Sequence, residues 1–110
     1  MPDSTPVSDP DATPDALAEA LTDDAQAIDA AQRLGELGSA ARPQVPALAA
    51  ALHESRPKDV RIAVAKALGA LQSEAKAAYV ALERASADDD SEVAGAARSA
   101  LTAIGGGEYT

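Results

Sequence analysis

Two short clusters hold most of the residues whose types and spacing could do chemistry. His53-Glu54 sets the only histidine of the chain beside a carboxylate, the pairing from which metal sites and acid–base couples are assembled. Asp88-Asp89-Asp90-Ser91-Glu92 packs four acids into five residues. Calcium takes oxygen-rich runs, but its loops space their ligands at alternate positions around a turning glycine, and this run has neither feature. Acids just ahead of a helix have a plainer use. They accept hydrogen bonds from the free N–H groups of the first turn and complement the helix dipole. That is the expectation here, with Asp89 and Glu92 at capping-box spacing and Asp in place of the usual Ser or Thr. His53 falls at the expected end of a helix, where a cation favours the dipole, so an exposed terminal-turn histidine is expected.

Nucleophilic and phosphate chemistry have no candidate. No serine lies in a Gly-x-Ser-x-Gly elbow, and Gly105-Gly106-Gly107 follow a helical pattern where a phosphate cradle would precede one. The chain has no cysteine, which excludes disulfides, thiolate metal sites and a thiol nucleophile. No catalytic residue, cofactor-binding residue or metal ligand is assigned, and no cofactor is expected. Thr5-Pro6 and Thr13-Pro14 have the form of proline-directed phosphorylation sites, a form common in any Pro-rich segment.

Charge narrows the partners. The net charge of -9 is lopsided: residues 1–24 hold seven acids and no base, and the other 86 hold 11 acids and 9 bases. Neither part has the basic stripe that would displace counterions from nucleic-acid phosphates or draw the chain to an anionic membrane. The first residues lack the basic and apolar runs of a secretory signal, and no apolar stretch approaches the ~20 residues of a span. A soluble, cytoplasmic protein is expected.

The elements that must position these residues come from a repeat. Ile28–Gly38, Ile62–Gln72 and Gly95–Gly105 carry the same pattern at offsets of 34 and 33 residues, so Leu34, Leu68 and Leu101 correspond, as do Leu37, Leu71 and Ile104. A period in this range signals stacked helical hairpins. Alanine dominates the 46% hydrophobic fraction, there is no Phe or Trp, and period-two alternation is missing, so the class is all-α. A short helix is expected from Asp15 to Leu21, then helices from Ala25 to Leu37, from Pro43 to His53, from Pro57 to Leu71, from Glu74 to Ala85 and from Ser91 to Ile104. Gly38 is expected to end the second of these as its C′ residue. The expected core is Val45, Leu48 and Leu52, then Val60, Val64, Ala67, Leu68 and Leu71, then Ala75, Ala78, Tyr79 and Leu82. Long and short helices alternate over about two and a half repeats. Residues 1–14 form an expected disordered acidic, Pro-rich tail, 15–105 the repeat domain, and 106–110 a flexible end.

Residues Asp59 to Leu71, DVRIAVAKALGAL, resemble the first helix of a bacterial HEAT repeat: Asp, an apolar residue, Arg, small residues, then Ala-Leu-Gly. Val45-Pro46-Ala47-Leu48 with Leu52 is similar to its second helix, and DALAEALTDD to the second helix and turn of a truncated earlier copy. The family's Arg is matched at Arg61 but replaced by Ala27 and Ala94, and Leu-Gly becomes Leu101-Thr102 in the last copy. The resemblance implies a right-handed α-α superhelix, of the HEAT and armadillo kind, whose second helices line the concave side and often bind another protein. Some relatives resemble phycobilisome lyases and others deoxyhypusine hydroxylase. The hydroxylase-like members need several His-Glu pairs for a di-iron centre, and one pair cannot make it.

The expected function is therefore a non-enzymatic protein-interaction module, accessory subunit or scaffold. The alternative is a lyase-like accessory protein holding a chromophore or other small ligand, which would need an aromatic or cationic pocket. The candidate binding face is the outward side of the second helices, with Glu19, Gln44, Ala47, Ala51, Lys76, Val80, Glu83 and Arg84. The expected partner is another protein, not nucleic acid or membrane. Ala96, Ala100 and Ala103, on successive turns of the last helix, form a candidate docking edge, so the chain is expected to be a monomer or to self-associate weakly there; the plainer reading is that alanine costs little to expose.

Overall fold

The computed structural model describes residues 13–53 and 56–105. The expected tails lie outside those residues except at Thr13 and Pro14, which belong to the first helix. Six α-helices run in order: α1 (Pro14–Ala20), α2 (Asp24–Leu37), α3 (Val45–Ala50), α4 (Lys58–Leu71), α5 (Tyr79–Ala85) and α6 (Ser91–Gly105). No strand occurs among the described residues. The fold is an all-α helical repeat. Its long helices α2, α4 and α6 stack side by side as a first-helix layer, and the short helices α1, α3 and α5 make a second layer.

Helices α1, α2 and α6 begin where a side chain satisfies their first N–H groups, whereas α3, α4 and α5 have no side-chain cap among the described residues. Thr13 Oγ1 accepts from Ala16 N at 3.1 Å, with Pro14 in the first turn. Asp23 Oδ1 accepts from Ala25 N at 2.9 Å and caps α2. At α6 the cap is Asp90, not Asp89: its Oδ1 accepts from Glu92 N at 2.9 Å and Val93 N at 3.2 Å. Asp88 holds the approach by accepting from Asp90 N at 2.8 Å. Three consecutive aspartates made the capping register ambiguous by one residue.

The second helices are shorter than expected. Gly38–Gln44 and Gln72–Ala78 are 3₁₀ segments, so α3 starts at Val45, not Pro43, and ends at Ala50, and α5 starts at Tyr79, not Glu74. In the first case Pro43 and Pro46 remove two N–H donors from the incoming turn. In the second no proline intervenes, but Ala75 sits at φ -96°, ψ 17°, outside the helical region. Both segments follow a sharp exit from a first helix, at Gly38 (φ 62°) and at the equivalent Gln72 (φ 53°). Glycine takes that conformation freely, and glutamine takes it under strain.

The core is aliphatic and continuous, with Leu17, Leu34, Leu48, Leu68 and Leu82 fully buried and Tyr79 packed against its margin. Val60, Val64, Ala67 and Leu71 are buried as the repeat requires. Leu37, by contrast, is 39% exposed although Leu71 and Ile104 are buried. Helices α4 and α6 rest on the 3₁₀ segment of the copy before them, and among the described residues no such segment precedes α2.

The first-helix layer is knit by glycine. A Cβ built on Gly35 would meet Ala67 Cα at 3.1 Å, and one built on Gly69 would meet Ala100 Cα at 3.1 Å. The Leu-Gly of the repeat thus marks where successive first helices approach so closely that a Cβ would press on the neighbouring backbone. Ala100 is buried in that contact, which corrects the expectation that it lies on an open edge. Ala103 is exposed and Ala96 half-buried.

Candidate functional site

The exposed side of the second-helix layer is built from short amphipathic helices whose Leu17, Leu48 and Leu82 point to the core. Seven of the eight expected face residues reach the surface. Glu19, Lys76, Val80, Glu83 and Arg84 are exposed, and Gln44 and Ala47 are half-buried. Ala51 does not: it is 2% exposed and belongs to the core. Ala51 keeps the helical phase, its N–H donating to Ala47 O at 3.2 Å, and lies one turn after the buried Leu48 on the core side, as its counterpart Ala85 does in α5, while Ala50 takes the outward place.

Val80 is the most exposed large aliphatic side chain among the described residues, at 61%. Charged side chains of both signs, Lys76, Glu83 and Arg84, share its helix or the segment leading into it. Gln44 Nε2 donates to Asp15 Oδ1 at 2.8 Å, tying α3 to α1, and Arg42 Nε meets Glu74 Oε1 at 2.6 Å, tying the two 3₁₀ segments. These exposed links set the spacing of the short helices more than they add to stability.

At the other end of the layer a cleft of about 950 Å³ opens between α3, α5 and the 86–90 loop, lined by His53, Arg61, Arg84, Asp88 and Asp89 among others. Its interior charge is already committed. Arg61 pairs with Asp88, their side chains 12% and 14% exposed, and Arg61 Nε donates to Arg56 O at 3.0 Å. Arg56 in turn holds Asp24 at 2.8 Å and donates to the Leu21 carbonyl. The arginine that the repeat pattern singles out is therefore a clamp on the loops before α4 and after α5. At the equivalent positions Ala27 and Ala94 are buried. Sequence reasoning missed this pair because Arg61 and Asp88 lie 27 residues apart with no pattern linking them.

The acidic cluster is likewise spent on structure. Lys58 Nζ lies 2.9 Å from Glu92 and 3.3 Å from Asp90, and these two partners, Glu92 first, raise its pKa above that of an ordinary lysine. Asp90 titrates below the usual carboxylate range because Val93 N–H, Glu92 N–H and Lys58 favour its charged form. Asp23 is lowered too, by the Gln26 amide and then by Ala25 N–H. Among the described residues no three His, Cys, Asp or Glu side chains converge as a metal site would require. His53 is exposed, and Glu54 lies outside the described residues.

A shallower groove of about 680 Å³ runs between α4 and α6 on the first-helix side, lined by Ile62, Lys66, Gly69, Gly95 and Ser99 among others. Gly95 stands where α4 has Ile62 and α2 has Ile28, and a Cβ there would meet nothing within 4 Å. No described helix is long and apolar enough to cross a membrane.

A family model for HEAT repeats matches residues 14–102. No curated protein and no solved structure matches the chain.

Proposed function

The chain belongs to the HEAT repeat family, and from that premise we propose that it is a non-catalytic interaction module or accessory subunit of the cytoplasm whose second-helix layer binds another protein. HEAT repeats are commonly protein-interaction scaffolds. The observation that carries the reading is the contrast within the second-helix layer. Its leucines are sealed in the core, while Val80 stands 61% exposed among charges of both signs. An exposed aliphatic residue with a polar surround is the arrangement of a small interface core and its rim.

The cleft beside His53 gives the ligand-binding alternative two cations, Arg61 and Arg84, but sets Asp88 and Asp89 beside them, with no Phe, Tyr or Trp among its lining residues. A flat conjugated ligand is held by apolar and aromatic walls, so the interaction reading stands ahead. Co-purification from the native host tests it. The wild-type chain should retain at least one protein in stoichiometric amount, and Val80→Asp with Arg84→Glu should lose it while circular dichroism stays unchanged. Retention indifferent to both substitutions would reject this face. Tight one-to-one binding of a bilin, read by absorbance, would favour the alternative.

A further inference from the structure

We draw no further inference here: the strongest candidate, the cleft between α3, α5 and the 86–90 loop, sets Asp88 and Asp89 against its cations Arg61 and Arg84, so that its charge selects no one occupant, and nothing in the structure shows what covers it.

Discussion

The first-helix and second-helix layers draw on the same alanine-rich alphabet and end up physically unlike. Helices α2, α4 and α6 run 14, 14 and 15 residues and meet through glycine and alanine at backbone contact. Helices α1, α3 and α5 run 7, 6 and 7 residues, two of them entered through 3₁₀ segments and linked to neighbours by exposed polar pairs. Isolated helices this short are marginal in water, so the second layer is helical because the first layer gives its leucines somewhere to go. Both layers bury leucines in one core, and the outward faces of the short helices are left free to vary at little cost, which is what a binding layer requires.

The comparison breaks most visibly at its centre. Leu68→Ala removes a fully buried side chain from the middle first helix and should cost about 2–5 kcal/mol in chemical denaturation. In so small a stack that could abolish folding; a loss comparable to a surface change would mean that the first layer does not carry the stability. Next comes a pair of glycines on one layer. Gly69→Ala forces a Cβ against the Ala100 backbone and should destabilise by about 1–3 kcal/mol, whereas Gly95→Ala meets open space and should stabilise α6 by about 1 kcal/mol or less. Equal effects at the two sites would remove the close approach as the organising contact.

The exit from α4 offers a gain. Gln72 holds φ 53° where its counterpart is Gly38, so Gln72→Gly should raise stability by about 1 kcal/mol; destabilisation would show that the Gln72 side chain contributes more than its backbone strain costs. Acid should then act on the caps. Asp23 and Asp90 have folded pKa values below their unfolded ones, so their contribution is present above about pH 4 and is lost as pH falls through the folded values. The melting temperature should drop below pH 4, less steeply in Asp90→Asn. An unchanged slope would mean that this cap is not coupled to folding. Smallest of all, Val80→Ser should alter stability by no more than about 0.5 kcal/mol.

How much of this could be read from the sequence follows the same division. The repeat offsets located the three long helices, and apolar spacing with proline and acidic start signals located the three short ones, because periodic leucines and alanines report burial directly; the same spacing identified Leu68 and Val64 as core. The offsets were silent wherever the backbone left the α-helix. Ala51 was placed outward although it lies one turn after the buried Leu48, and its counterpart Ala85 is buried inside α5 in the same way. Ala100 has the look of a surface alanine until Gly69 is seen against it. The clamp of Arg61 on Asp88 joins residues that no periodicity relates. On the candidate face, Val80 and Arg84 were legible because α5 keeps a regular phase from Tyr79 onward.

The central claim is that the first layer holds the molecule and the second meets its partner. Site-specific photo-cross-linking in the native host tests it most directly, with the probe placed at Val80 on α5 in one chain and at Ser99 on α6 in another, both exposed positions. The account predicts a discrete cross-linked protein from position 80 and none from position 99. A discrete adduct from position 99 with none from position 80 would contradict it.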